Sequence, residues 1–530
     1  MKKLFVRASF FFLSLGVMGM SFGQTAVSKE ILNWYNREKP GMGTEKAYAL
    51  VKGKTPQPVI VGVIDSGVDI EHEDLKGQIW TNKNEIPGNG IDDDKNGYID
   101  DIHGWNFLGG ADGKNSNDEN LEFVRIYKRG KAKFVGKQEG EINLNEVADY
   151  KLWVECRDKL KKEREEAEQM QGYYTMLKDQ IIPMVPMMVK KAMGVQNYTL
   201  QDLKKWKPKT ENDQQIKELA MQIESGELSN EELDEGLKHF NDQLEYNLNP
   251  DFDGRKVVGD DPYDFTQKNY GNNAVEGPDA LHGTHVAGII AAVRGNSLGG
   301  DGVAAPVQIM SLRAVPNGDE YDKDVAFAIR YAVDNGASVI NMSFGKAYST
   351  HQKEVYEAMK YAESKGVLLI HAAGNDAADI DVAPNFPAVK FSFQTEEFKN
   401  LLTIGASTRF AKGQLAASFS NYGIKSVDVF APGYEIYNTI PDNKYRKLQG
   451  TSMAAPAVAG VAAFLKAYFP NLSMFEIRDI ILKSATPYGK TKQAKPGEET
   501  LVPFSTLSKT GGVVNLEAAV KMAMAMSAAK

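Results

Sequence analysis

Val59-Ile60-Val61-Gly62-Val63-Ile64 is a continuous apolar run that stops at Asp65-Ser66-Gly67-Val68-Asp69. A run this short, with no polar alternation, suits a strand covered on both faces, as in a parallel sheet. Similar runs recur at Ser338–Met342, Val367–His371, Leu401–Ile404 and Val427–Phe430. Helical periods lie between them. In Asp322–Asn335 the apolar residues Val325, Ala328, Ile329, Ala332 and Val333 keep i, i+3, i+4 spacing, and Gly336 stands at a C-cap position. Lys353–Lys365 closes likewise at Gly366. Strand–helix alternation predicts an α/β fold: a doubly wound, mostly parallel sheet with helices on both faces.

The rhythm breaks between Leu121 and Leu248, a stretch rich in Lys, Glu, Gln and Met. Three helix-start patterns occur there: Thr199-x-x-Asp202, Thr210-x-x-Asp213 and Ser229-x-x-Glu232. Val147–Lys178 reads as one long helix. Trp153, Leu160, Ala167 and Tyr174 repeat every seven residues, with Cys156, Met170 and Leu177 on the adjacent row and Glu163 interrupting it. This partly apolar seam predicts an intramolecular helical hairpin rather than a dimerising coiled coil. The expected organisation is an export signal at 1–23, a catalytic α/β domain at 24–120 and 249–520, a helical insertion at 121–248 and a tail at 521–530.

The chain has 530 residues with 42% hydrophobic and 25% charged residues, an ordinary globular composition that excludes wholesale disorder. Its net charge of −8 argues against nucleic acid as a partner. The single Cys156 excludes an intramolecular disulfide and a Cys-rich zinc site. Lys2, Lys3 and Arg7, then the apolar stretch Phe10–Met20, then Ser21-Phe22-Gly23 before Gln24, read as an export signal. The apolar stretch falls short of the ~20 residues that span a bilayer. The expected location is therefore periplasmic or extracellular, with no stable membrane insertion after signal removal.

Three segments carry chemistry. Asp65-Ser66-Gly67 ends the first strand. His282-Gly283-Thr284-His285 opens a helix running to about Val293. Gly450-Thr451-Ser452-Met453-Ala454-Ala455-Pro456 opens another, with Pro456 expected in its first turn. A serine hydroxyl is a weak nucleophile near neutral pH. It needs a base within hydrogen-bond reach, and the base needs a third group to fix its tautomer. Ser452, His282 and Asp65 supply these three roles. The Ser452 N–H lies where helix donors have no intrahelical partner and can face an oxyanion. Asn375, in Ala372-Ala373-Gly374-Asn375, can donate to the same oxygen from a strand end.

These segments resemble those of the subtilisin-like serine proteases (subtilases), in the same order of Asp, His and Ser. The resemblance covers roughly Thr44–Gly109 and Pro250–Val520. It implies that Ser343-Phe344-Gly345 lines the substrate cleft as one wall and Ala372-Ala373-Gly374 as the facing wall. It also implies that Phe386-Pro387 matches a position where a cis-proline shapes the pocket. Asn296, in Gly295-Asn296-Ser297-Leu298-Gly299, lies where many family members carry a calcium loop. Two features depart from the family. The stretch from Gln24 to Asp65 is too short for the folded inhibitory pro-domain that many members carry. Asp65 and His282 are 217 positions apart, far more than a compact member needs.

Asp92-Asp93-Asp94-Lys95-Asn96-Gly97-Tyr98-Ile99-Asp100 matches the first half of a calcium loop. Asp92, Asp94, Asn96 and Asp100 are the expected Ca²⁺ ligands, joined by the Tyr98 carbonyl. His103 stands where the usual Glu would close the loop, and Asp101 is the candidate to replace it. No organic cofactor is expected.

Each segment alone has a plainer explanation: Asp-Ser-Gly as a turn, His-x-x-His as a metal pair, Gly-Thr-Ser as a helix cap. The metalloprotease helix, however, needs His-Glu-x-x-His, and that Glu is absent. His285 is expected to be structural. An α/β-hydrolase esterase would need Gly-x-Ser-x-Gly and the reverse order of triad members. Together the segments predict an exported serine endopeptidase, acting as a monomer on protein or peptide substrates through an acyl-enzyme on Ser452. The alternative is a catalytically silent binding or chaperone module on the same fold. The insertion, being inserted between two catalytic residues, is expected to narrow access to substrates.

Overall fold

Residues 27–226, 228–383 and 385–528 are described by the structure, a computed structural model. The export signal expected at Met1–Gly23 lies outside the described residues. All five apolar runs form strands. In chain order the strands are β1 (Val59–Asp65), β2 (Gly104–Asn106), β3 (Val307–Arg313), β4 (Val339–Met342), β5 (Leu368–Ala372), β6 (Leu401–Ser407), β7 (Val429–Pro432), β8 (Ile436–Ile440) and β9 (Lys444–Leu448). Seven of these form one sheet in the order β7-β6-β5-β4-β1-β3-β2, extended beyond β7 by two short strands, Gly512–Val513 and Thr486–Pro487. The pairings from β2 to β7 are parallel. β8 and β9 form a separate antiparallel hairpin.

The order places β1 between β3 and β4, so successive strands leave it in opposite directions. Ligand sites in open α/β sheets form at such a switch point, beyond the strand C-termini. Asp65 is the last residue of β1.

Helices cover both faces. α1 (Leu281–Ala291) and α4 (Thr451–Tyr468) pack with Val61, Val63, Ile309 and Ile370 on one face. α2 (Asp322–Asp334) and α3 (Gln352–Ser364) pack with Ile64, Leu312, Ile340 and Leu369 on the other. Alternate residues of β1 thus enter opposite cores, which is why the run is apolar throughout. Of the tail expected at 521–530, residues 521–528 belong to a helix that begins earlier, Leu516–Ala528, and buries Ala519, Val520 and Ala523.

Residues Phe123–Phe252 form a compact unit of their own. Its elements include the helices Val147–Met176, Val185–Met193, Glu211–Ser225 and Asn230–Asp242. The long helix buries Trp153, Leu160, Ala167 and Tyr174, the seven-residue row expected from the sequence, together with Tyr150 and with Cys156 of the adjacent row. It packs against Asn230–Asp242 as a hairpin would: the Tyr174 and Phe240 rings lie 5.5 Å apart. A β-carbon at Gly236 would come 2.2 Å from the Tyr174 ring. Val185, Val189, Leu203, Ile216 and Ala220 make a second small core. Thr199 and Thr210 cap their helices, accepting from the N–H groups of Asp202 and Asp213.

The two flanks of this unit meet within the α/β unit. Asn106 and Asn272 exchange both backbone hydrogen bonds, at 2.9 and 3.0 Å.

Candidate active site

Asp65 is 1% exposed. Its Oδ1 accepts from its neighbour's N–H, Ser66, at 2.8 Å, and lies 2.7 Å from His282 Nδ1. A carboxylate only accepts, so Nδ1 carries the hydrogen and Nε2 is left to take a proton. The approach depends on glycine. A β-carbon at 283 would lie 2.0 Å from the Gly67 carbonyl oxygen, so only glycine lets the start of α1 reach the turn after β1. Burial opposes the imidazolium of His282. The charge and hydrogen bond of Asp65, with the charge of Asp279, outweigh it and hold the pKa above its ordinary value.

His285 has a different setting. Its Nε2 lies 3.0 and 3.1 Å from the carbonyls of Ile436 and Arg446, so it ties α1 to the β8–β9 hairpin. Complete burial pushes its pKa down to about 3, and it stays neutral.

Ser452 lies in the first turn of α4. Its hydroxyl here donates to the Ser343 carbonyl at 3.2 Å rather than to His282. Catalytic hydrogen bonds commonly tighten only when substrate is present. The sequence reading put Pro456 in the first turn of this helix; it lies further inside instead. Proline there has no N–H for the carbonyl one turn earlier, which is that of Ser452. The fold accommodates it because the Ser343 hydroxyl donates to that carbonyl, at 2.9 Å.

Asn375 is exposed, on the loop after β5. Its Oδ1 accepts from both the N–H of Thr451, at 2.9 Å, and the Thr451 hydroxyl, at 3.0 Å. With its oxygen so engaged, the amide keeps two hydrogens on Nδ2 that can be donated. The Thr451 hydroxyl also accepts from the Gly374 N–H at 3.0 Å. Asn421 pins the same loop. Its Oδ1 accepts from the N–H groups of Asp376 and Ala378, and its Nδ2 donates to the Ala373 carbonyl, all at 2.9 Å. Asn421 is one polar residue among many in the sequence, and Thr451 stands out there only as part of the serine segment, with no role of its own.

The segments Ser343-Phe344-Gly345 and Ala372-Ala373-Gly374 follow or end neighbouring parallel strands, β4 and β5. Asn385 stands between them. Its Nδ2 donates to the carbonyls of Ala372 and Ala373, at 3.3 and 3.2 Å. A β-carbon on Gly345 would come within 2.5 Å of Asn385 Oδ1. Backbone bonds in both directions between Lys346 and Phe386, at 3.2 and 2.9 Å, hold this stretch in place. The Phe386–Pro387 peptide bond is cis. Asn385 was also missed; only the neighbouring Phe-Pro pair drew notice to the region. Buried His371, next to Ala372 in β5, has its Nε2 2.9 Å from the Phe344 carbonyl.

The acidic loop gathers some of its expected ligands and not others. Glu85, Asp92 and Asp94 each bring a carboxylate oxygen within 4.8 Å of the others. This all-oxygen set suits a hard cation such as Ca²⁺. Glu85 was missed because it precedes the loop. Asn96 borders the group, its Nδ2 donating to Asp94 at 3.3 Å and to Asp101 at 2.9 Å. Asp100 is turned elsewhere: its two oxygens accept from the N–H groups of Asn89 and Gly90. Asp101 is fully buried, accepting from Tyr331 and Asn82, and burial pushes its pKa up to about 6. Asn296 donates to buried Asp74 at 2.6 Å.

A model of the peptidase S8 subtilase family matches residues 57–502. The chain belongs to the subtilase family. This subtilase is 39% identical over 237 residues to the thermophilic serine proteinase of Bacillus sp. (strain AK1), a match covering 44% of this chain and 53% of that protein. It is 37% identical over 241 residues to subtilisin-like protease 2 of Plasmodium falciparum, covering 44% of this chain and 17% of that protein. It is 38% identical over 217 residues to thermitase of Thermoactinomyces vulgaris, covering 41% of this chain and 69% of that protein. The chain thus spans about half or less of the first two relatives' lengths. Among the described residues no helix is long and apolar enough to cross a membrane.

Proposed function

We propose that this subtilase is an exported serine endopeptidase acting on proteins or peptides through an Asp65-His282-Ser452 triad. The observation that carries the reading is the 2.7 Å approach of His282 Nδ1 to the buried Asp65 carboxylate, at the switch point of the sheet. In the proposed reaction His282 Nε2 removes the Ser452 proton as Oγ attacks the scissile carbonyl. Asn375 Nδ2 and the Ser452 N–H hold the resulting oxyanion. Collapse breaks the C–N bond, and His282 passes its proton to the leaving amine. Water, activated by the same imidazole, then hydrolyses the acyl-enzyme. The segments 343–345 and 372–374 would border the bound peptide.

Glu85, Asp92 and Asp94 would hold a Ca²⁺ ion, with Asn96 beside it; its contribution would be to the stability of the loop. Export is supported by the N-terminal sequence, and a monomer by the intramolecular packing of the helical seam.

The test is labelling with a fluorophosphonate probe together with casein cleavage. The native protein should do both and Ser452→Ala neither, while remaining folded. A folded native protein that takes no label would favour the silent binding module.

A further inference from the structure

A helix that carries a nucleophile in its first turn would ordinarily hold that residue's carbonyl with the N–H four positions on. In α4 that position is Pro456, which has no N–H and whose ring crowds the carbonyl it faces. The Ser452 carbonyl therefore lacks its intrahelical donor at the point where the backbone must be held still.

The missing donor is supplied from another element. Ser343 follows directly on β4, and its hydroxyl donates to the Ser452 carbonyl at 2.9 Å. Asn341 Nδ2 donates to the same hydroxyl oxygen at 2.9 Å, which turns the Ser343 hydrogen away from β4 and toward α4. Asn341 is fully buried and Ser343 is 4% exposed, so water does not compete for either bond. In return the Ser452 hydroxyl donates to the Ser343 carbonyl. A residue that only lined the cleft would not need its hydroxyl buried, oriented by an amide and aimed at the one carbonyl that proline leaves open.

We propose that Ser343 is a positioning residue for the nucleophile: its hydroxyl stands in for the N–H that Pro456 lacks and locks the turn carrying Ser452 to the end of β4. The proposal rests on the serine endopeptidase reading. It differs from the role of a cleft wall, which the main chain of Ser343 would serve whatever its side chain.

The consequence is a rescue. Ser343→Ala removes the substitute donor, and Pro456→Ala restores the original one. Steady-state hydrolysis of a small peptide ester by active-site-titrated enzyme reads both. Ser343→Ala should lower kcat by about ten- to a hundredfold, the order expected when reacting atoms are slightly misplaced, with KM nearly unchanged. Ser343→Thr, which keeps a hydroxyl, should recover most of that loss. Pro456→Ala alone should stay near the native rate, and Ser343→Ala/Pro456→Ala should regain most of what Ser343→Ala lost. Thermal melts check that each variant is folded. A folded Ser343→Ala with native kcat overturns the proposal. So does a folded double variant no faster than Ser343→Ala, since the hydroxyl would then act by some route other than the Ser452 carbonyl. If the native protein neither hydrolyses the ester nor takes a fluorophosphonate label, it is the endopeptidase reading that fails, and the proposal with it.

Discussion

His282 Nδ1 and Asp65 Oδ1 lie 2.7 Å apart although they are 217 positions apart in the chain, and the carboxylate of the pair is 1% exposed. The buried negative charge raises the pKa of His282 above its ordinary value, against the effect of burial. Only neutral imidazole accepts the serine proton, so activity should rise with pH through that raised pKa. The half-maximal point of kcat/KM should lie above pH ~6.5, the unperturbed histidine value. Asp65→Asn should move it down and lower kcat by about 10⁴-fold. The same shift favours the folded state at low pH, and that contribution is lost as pH rises through the folded pKa. A rate profile flat from pH 5 to 9 would exclude His282 as the base.

Thr451 holds Asn375 through two donors, its N–H and its hydroxyl, both to the amide oxygen. Asn375→Ala should cost about 10²–10³-fold in kcat, the usual size for losing one oxyanion donor. Thr451→Val keeps the N–H bond but loses the hydroxyl one, so its loss in kcat should be smaller, with KM little changed. Equal kcat for native enzyme and Asn375→Ala on a peptide substrate would remove the amide from the mechanism.

Asn385 occupies the gap between the two segments proposed to border the peptide. Substrates with a small residue before the scissile bond should be cut better than those with Phe. Asn385→Gly opens the gap and should raise the Phe-to-Ala ratio of kcat/KM by about tenfold or more, the scale at which pocket size discriminates. Peptide nitroanilides differing at that one residue measure it. An unchanged ratio would show that the amide does not limit the pocket.

An ion bound only by the folded state stabilises it by mass action, about 2.7 kcal/mol at a hundredfold excess over Kd. Melting curves should therefore move upward from EDTA to excess Ca²⁺, and Glu85→Gln with Asp92→Asn should abolish the difference. Identical curves for the native protein in both conditions would dismiss the site at Glu85, Asp92 and Asp94.

The flanks of the helical unit are already bonded to each other through Asn106 and Asn272. A short Gly/Ser linker in place of residues 123–252 should leave fluorophosphonate reactivity intact. It should also widen the range of proteins cut, if the helices restrict access. Loss of labelling in a linker variant with a cooperative melt would show that the α/β unit needs the helices to assemble its site.

Much of this was legible in the chain. The apolar runs at 59–64, 338–342 and 367–371 fit strands covered on both faces, because they are short and show no polar alternation. The seven-residue row from Trp153 to Tyr174 pointed to a packed helix because apolar residues at that spacing line one helix face. Asp65, His282, Ser452 and Asn375 could be nominated because the chemistry proposed for them is tied to short local patterns at strand ends and helix starts. Local patterns cannot report what arrives from elsewhere in the chain. The donor for the Ser452 carbonyl comes from Ser343, 109 positions away, and the sequence alone made Pro456 look harmless. Asn385 and Thr451 are ordinary polar residues until the fold sets them against carbonyls and an amide. In the acidic loop, spacing nominated Asp100. The turn at Asn89–Gly90 took its oxygens instead, and Glu85 joined Asp92 and Asp94. Periodicity and residue chemistry determine which segments are strands, helices and candidate catalytic groups, because those depend on near neighbours. Which polar atoms are already satisfied, and by what, is decided only when distant segments pack, because hydrogen-bond geometry is a property of the assembled interior.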